Sequence, residues 1–270
     1  MRTLVKKIVP FSVGVKIRGG IQKFLGYYYR GDKYECPFCG EQFRQMLDGG
    51  IDLPANKEKQ IVGSGRRKNI VCPRCYSTDR DRLICFFLKN ETQVFTQPCR
   101  VLHIAPEGSI SHLLKQQNNV SYVSGDKFEK GYRGYYYDRM TKQLDVTNLP
   151  FESNSFDGVI CNHVLEHVPD DRAAIREIYR VLKKGGWAIL QVPVSLTLDF
   201  TYEPTTYSPE ERSKLFGQYD HLRIYGQDYP KRLEETGFRV EIHNPQRHRW
   251  ELDIQRYAIN PKEDVYFAIK

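Results

Sequence analysis

From residue 99 onward, apolar and polar positions alternate between two periods. Short apolar runs at 100–105, 120–124, 156–161, 187–193, 238–242 and 265–269 have the length and composition of β-strands. Between them, residues 110–117, 172–182 and 228–236 read as helices. In the second of these, Ala174, Ile175, Ile178, Val181 and Leu182 recur at helical spacing. Lys183-Lys-Gly-Gly186 predicts the end of that helix, and Gly237 the end of the last one. Strand–helix alternation at this spacing predicts an α/β fold with a doubly wound, mostly parallel sheet covered on both faces. In such a sheet ligands bind beyond the carboxyl ends of the strands, where the strand order reverses.

The first part of the chain has a different character. Residues 1–34 carry a net charge of +7, residues 35–100 carry +3, and residues 101–270 carry −2. The positive field therefore belongs to the front. A basic arm over 1–34 suits RNA or an anionic membrane surface, and it equally suits a solvated amphipathic segment packed on its own domain. Met1 to Lys7 could open a signal peptide, but Pro10 and Gly14 interrupt the apolar stretch behind it and no small-residue cleavage pattern follows. No apolar run reaches the roughly 20 residues of a membrane span. The expectation is an unexported, cytoplasmic protein.

Cys36-Pro-Phe-Cys39 and Cys72-Pro-Arg-Cys75 are two C-x-x-C turns separated by 32 residues. Such a turn directs both sulfurs to one point, and two turns surround a Zn²⁺ ion tetrahedrally. Gly40, directly after the first turn, tolerates the positive φ that a knuckle often needs. Disulfides do not persist in a reducing compartment, so Cys36, Cys39, Cys72 and Cys75 read as structural zinc ligands in a zinc-ribbon-like module over 35–90. A closed four-thiolate site has no open position, so this zinc holds structure. The gap exceeds ribbon spacing and implies a looped-out insertion that includes 63–69. Cys85, Cys99 and Cys161 lie in apolar surroundings and read as core residues.

Leu149-Pro-Phe-Glu-Ser-Asn-Ser-Phe-Asp157, His163-Val-Leu-Glu-His-Val168 and Arg180-Val-Leu-Lys-Lys-Gly-Gly186, in this order, resemble the class I S-adenosylmethionine-dependent methyltransferases, type 11 subgroup. The resemblance covers residues 99–195 well and the C-terminal part loosely. It implies a seven-stranded sheet and a methyltransferase domain over 98–270. It also implies that Asp126 accepts from both ribose hydroxyls of S-adenosylmethionine, that Asp145 and the Val146 backbone meet the adenine, and that Asn162 lies beside the methionine portion. The loop after the first strand departs from the family's acid-x-Gly-x-Gly-x-Gly. It reads His103-Ile-Ala-Pro-Glu-Gly-Ser109, with Ala105 and Glu107 at the first two glycine positions. Ala105 is a small change, whereas Glu107 brings a carboxylate that can meet the cofactor's ammonium group.

Methyl transfer from a sulfonium is an in-line displacement, so the protein mainly aligns the acceptor and excludes water. A general base helps where the acceptor is a hydroxyl. His163, at the mouth of the fourth strand, and His221, in the polar and aromatic segment 217–226, are the candidates. His163, Glu166 and His167 would share a face of a helix, a spacing that metal sites also use; their place after the fourth strand argues against a protease, and His167 is read as structural. The expected acceptor is a small molecule or a glycan. The alternative is an RNA methyltransferase, or a nucleic-acid-binding protein with a degenerate cofactor pocket. Tyr27-Tyr-Tyr29 and Tyr135-Tyr-Tyr137 suit base stacking and burial equally.

Overall fold

The computed structural model describes residues 11–127, 140–204, 207–247 and 252–270, with the backbone alone for 11–15. The start of the basic arm and Tyr135–Tyr137 lie outside the described residues. The front comprises α1 (Phe11–Tyr28), β1 (Arg30–Glu35), β2 (Gln42–Phe43), β3 (Leu47–Gly49), α2 (Pro54–Glu58), β4 (Ile61–Val62), β5 (Arg67–Val71) and α3 (Asp79–Glu91). Then follow β6 (Cys99–Ile104), α4 (Gly108–Lys115), β7 (Val120–Asp126), β8 (Lys142–Gln143), β9 (Phe156–Asn162), α5 (Asp171–Val181) and β10 (Leu182–Gln191). The chain closes with β11 (Val194–Ser195), α6 (Pro209–Phe216), α7 (Tyr229–Glu234), β12 (Arg239–His243) and β13 (Val265–Ile269).

Seven strands form one sheet in the order β12-β13-β10-β9-β6-β7-β8. The five from β8 to β10 are parallel, and β13 runs antiparallel to both its neighbours. The order reverses between β6 and β9, which puts the switch point at their carboxyl ends. This arrangement fits the class I methyltransferase fold.

Period-2 alternation sorts the sheet's side chains between two cores. Leu102, Ile104, Val159, Cys161, Ala188 and Leu190 pack with Ala174, Ile175, Ile178 and Val181 of α5. Val101, Ile160, Ile189 and Phe267 pack on the other face against Leu83, Ile84, Phe87 and Leu88 of α3. A strand buried on both faces reads as a continuous apolar run, which is why these strands stand out in the sequence. The helix bearing Cys85 is thus part of the sheet's own covering. Buried Arg82 ties it further, donating to the carbonyls of Ile70, Ser77, Tyr257 and Ala258.

Lys183–Gly186 differs from the expectation of a helix end. α5 stops at Val181 and β10 begins at once, with its pairing to β9 irregular between Leu182 and Trp187. Gly185 takes φ +77°. The helix's last carbonyls meet the Lys270 ammonium, which donates to Leu182 at 2.7 Å, while Lys183 reaches away to Asp157. The insertion between the cysteine pairs is also more ordered than a loop: β3 pairs with β5, and β4 pairs with β11 beyond the sheet's carboxyl end. In α1 the side chains of Ile17, Ile21, Phe24 and Tyr28 form an exposed apolar stripe. Among the described residues no helix is long and apolar enough to cross a membrane.

Candidate active site

The carboxyl ends of β6, β7 and β9, with the turn after β8, bring Ala105, Glu107, Asp126, Asp145 and Asn162 into one row. Ala105 leaves β6 at φ +48°, and its N–H donates to the Gly125 carbonyl of β7 at 2.8 Å. This left-handed backbone is what a glycine at the same place of the family loop adopts freely, so the alanine carries the strain of a β-carbon there. Glu107 sits at the start of α4. Its Oε2 lies 2.7 Å from Nε2 of His103, whose Nδ1 lies 3.0 Å from the Tyr122 hydroxyl. With Nε2–H donating to the carboxylate, Nδ1 accepts from the tyrosine. His103, on a core-facing position of β6 and fully buried, is thereby satisfied on both nitrogens.

Electrostatics separates two carboxyls here. Burial and the neighbouring Glu107 charge push Asp81 up. Burial acts the same way on Glu107, but the hydrogen bond and charge of His103 outweigh it and hold Glu107 below its ordinary range. Asp81 also links the second cysteine turn to the cofactor loop. It accepts from the Thr78 N–H at 2.9 Å, as part of the capping box that opens α3, and from the Ser109 hydroxyl at 2.7 Å.

Asp126 ends β7, and Asp145 follows one strand further out. Asp145 is engaged: Lys127 donates to Oδ2 at 2.8 Å, and Thr147 donates to Oδ1 from its hydroxyl and its N–H. Those contacts hold its pKa at about 2. Val146 is buried in the core behind it. Asn162 is 4% exposed, and neither its amide oxygen nor its nitrogen has a hydrogen-bond partner. A buried, unpaired carboxamide at a switch point is costly unless a ligand meets it. That side chain fits the methionine end of an adenosylmethionine lying across the strand ends.

His163 follows at φ +53° and donates its N–H to Gln191 of β10. The helix expected to place His163, Glu166 and His167 on one face is a single 3-10 turn, Leu165–His167. Arg223 holds this turn, donating to the carbonyls of Leu165, Val168 and Pro169. Arg223 belongs to a buried network with Glu203, Arg232 and Asp171 that the sequence gave no sign of, since a buried arginine reads like a surface one. His163 Nδ1 stands 3.1 Å from Glu166 Oε1, and its Nε2 is buried without a partner. His221 is 4% exposed and meets His167 edge-on, ring centroids 4.8 Å apart. Burial, ahead of the Glu166 charge that opposes it, lowers His221 to about 4, so its ring is neutral at pH 7. The segment between the cysteine pairs forms the wall beside His163: a β-carbon on Gly63 would stand 3.2 Å from His163 Cε1 and 3.1 Å from Glu263 Oε1.

The four cysteines converge. Cys36 and Cys75 sulfurs are 3.5 Å apart, Cys39 and Cys72 sulfurs 3.8 Å, and all four lie within 4.8 Å of one another. A tetrahedral ion with bonds of ~2.3 Å sets its sulfurs ~3.8 Å apart. The two turns repeat one geometry: Gly40 (φ +68°) donates to the Cys36 carbonyl and Tyr76 (φ +62°) to the Cys72 carbonyl.

Residues 108–190 match the family described as "Methyltransferase domain". This part of the chain is a methyltransferase domain. A demethylmenaquinone methyltransferase of Staphylococcus saprophyticus is 35% identical over 91 residues, 34% of this chain and 35% of that protein. A ubiquinone/menaquinone biosynthesis C-methyltransferase of Stenotrophomonas maltophilia is 40% identical over 102 residues, 33% of this chain and 40% of that protein. The match to these two curated relatives thus spans little more than a third of their length. Among solved structures, a SAM dependent methyltransferase from Archaeoglobus fulgidus is 17% identical with a TM-score of 0.46, covering 73% of this chain and 96% of that one.

Proposed function

We propose that the chain transfers the methyl group of S-adenosylmethionine to a small-molecule or glycan acceptor, with a structural zinc ion held by Cys36, Cys39, Cys72 and Cys75. The observation that carries the reading is the row of Ala105, Glu107, Asp126, Asp145 and Asn162 along adjacent strand ends of a methyltransferase domain, ending in the unpaired Asn162 amide. Asp126 takes the ribose hydroxyls. Asp145 and the Val146 N–H take the adenine, Lys127 swinging outward to release the carboxylate; its exposed ammonium makes that movement cheap. Glu107 takes the ammonium group, and the Ala105 turn brings the backbone close to the cofactor. When bound, the cofactor supplies an activated methyl group on a sulfonium.

His163 takes the role of general base towards a hydroxyl acceptor. Its unpartnered Nε2 is beside the wall made by Gly63, whereas the other candidate, His221, lies beneath it and is nearly sealed from solvent. The relatives named above are named for menaquinone and ubiquinone biosynthesis, which supports a small-molecule acceptor. The RNA alternative rests on the charge of the arm, but the exposed face of α1 is apolar at Ile17, Ile21, Phe24 and Tyr28, which favours a surface or protein contact over a phosphate backbone.

Calorimetry with S-adenosylhomocysteine tests the cofactor reading. The wild type should bind, and Asp126→Ala should lose on the order of tenfold to a few hundredfold, since charge-assisted hydrogen bonds are worth ~1.5–3 kcal/mol each. No binding by a folded, zinc-loaded wild type overturns it. Labelled cofactor with fractionated cell extract then identifies the acceptor, and retention on RNA that falls steeply with salt would move the assignment to RNA.

A further inference from the structure

A second group of potential ligands lies behind His163. Glu166, His167 and His221 each offer one donor atom, and these atoms all lie within 4.8 Å of one another. Glu166 is 1% exposed, and neither of its carboxylate oxygens has a hydrogen-bond partner. The closest cation to it is the His163 ring at 3.1 Å, in an alignment too poor for a hydrogen bond. A carboxylate withdrawn from water and given no donor is among the most expensive arrangements a fold can hold. Its surroundings are not apolar packing but imidazoles, two of them contributed by residues 54 apart in the chain.

We propose that Glu166, His167 and His221 form a divalent-metal site distinct from the four-cysteine cluster. Two imidazoles and one carboxylate are a nitrogen–oxygen donor set, suited to Zn²⁺, Fe²⁺, Co²⁺ or Mn²⁺, and three protein ligands leave coordination positions open. Metal–ligand bonds of ~2.0–2.2 Å bring donors to within ~3–4 Å of one another, so closing the site takes side-chain rotations of about 1 Å. The outer contacts suit this use. His167 Nδ1–H donates to the Asp220 carbonyl at 3.2 Å, which fixes the tautomer with a lone pair on Nε2. Leu222 N–H donates to the Glu166 carbonyl, and Arg223 holds the 165–169 turn, so the two chain segments that supply the donors are joined on both sides of them. An ion there adjoins His163, where the methyl-transfer reading places the acceptor, and would take an oxygen of that acceptor as a further ligand. This last point alone rests on the proposed function.

Cobalt substitution separates the two sites without reference to the cofactor. Metal-stripped, reduced full-length protein is titrated with Co²⁺ and, in parallel, with Zn²⁺ followed by metal analysis. The proposal expects about two ions per chain, one giving intense thiolate-to-cobalt charge-transfer bands and one giving only weak visible d–d bands. Glu166→Gln and His221→Asn should each remove the second set and reduce zinc to about one per chain while the thiolate bands stay. His167→Asn, at a partly exposed position where folding is less at stake, should do the same. A wild type that takes up only the thiolate-bound ion overturns the site, and so does a second ion that survives all three substitutions. Homocysteine-product binding measured separately tells this failure from a failure of the cofactor reading.

Discussion

His103 Nε2 and Glu107 Oε2 stand 2.7 Å apart across the turn that leaves β6, so the two departures from the family's loop sequence are one feature. The acid that the family places at the strand end has moved four residues on, and a histidine in its old position holds it. Glu107→Gly leaves His103 buried with one nitrogen unpaired. If the carboxylate meets the ammonium group, both Glu107→Gly and Glu107→Gln should weaken S-adenosylhomocysteine binding by about tenfold, the size of one charge-assisted contact. Methylthioadenosine, which has no ammonium group, should bind both variants as it binds the wild type. Equal losses for the two ligands would mean that the loop has changed shape.

The same pair sets a pH dependence. Glu107 is held below its ordinary range, so its contribution to stability is complete above its unfolded value near 4.5 and is lost as pH falls through the lower folded value. His103, Arg80 and the buried Asp81 all face it, and Asp81, shifted upward, acts in the opposite sense. Urea denaturation between pH 6 and pH 3 should therefore show a shallower loss of stability for Glu107→Gln than for the wild type. Identical slopes would show that His103 does not hold the charge.

Ala105 sits at φ +48° with its N–H committed to Gly125. A left-handed non-glycine residue costs roughly 1–2 kcal/mol, and a glycine gives back part of that in unfolded-chain entropy. Ala105→Gly should raise stability by up to ~1 kcal/mol without weakening cofactor binding. A loss of stability in denaturant titration would mean that the alanine methyl packs usefully.

Much of the sheet is legible because β6, β7, β9, β10 and β13 are buried runs of strand length, and because α5 has a clean apolar stripe. β8 has two residues and therefore no period to detect. Lys183–Gly186 misleads because basic residues followed by glycines mark a helix end, yet here the same residues begin β10 and pair with the C-terminus. The cofactor-side row could be placed by position in a strand–turn pattern. The Glu166, His167 and His221 group could not, since nothing local in residues 217–226 indicates that they return to the turn after β9. The buried arginines Arg82 and Arg223 were equally hidden, each serving backbone carbonyls that only the folded chain assembles.

Gly63 connects the cysteine insertion to His163. Its φ is +81°, and a β-carbon there would press on His163 and Glu263 at 3.2 and 3.1 Å. Gly185 has φ +77° and nothing within 4 Å of the same added atom. Both alanine substitutions carry the left-handed strain of roughly 1–2 kcal/mol, but only Gly63→Ala adds overlap. It should be the more destabilising of the two in denaturant titration. Equal costs would mean that the insertion gives way freely and does not form a firm wall beside His163.

The cysteines offer a test of the zinc reading that needs no substitution. Cys85 and Cys161 are buried in the sheet's cores, and burial pushes the Cys85 thiol up to about 11, so little thiolate is present at pH 8. Burial pushes Cys161 up as well. Metal-bound thiolates are shielded by their ion. Native protein treated with iodoacetamide at pH 8 should therefore be modified slowly, and chiefly at the partly exposed Cys99. After chelation, Cys36, Cys39, Cys72 and Cys75 should react while Cys85 and Cys161 remain protected, because α3 is anchored on the sheet by its apolar side chains. Peptide mapping reads each position separately. If chelation left the four cysteines as slow as before, the cluster would be held by its packing and not by a metal ion, and Cys36→Ser would then cost no zinc.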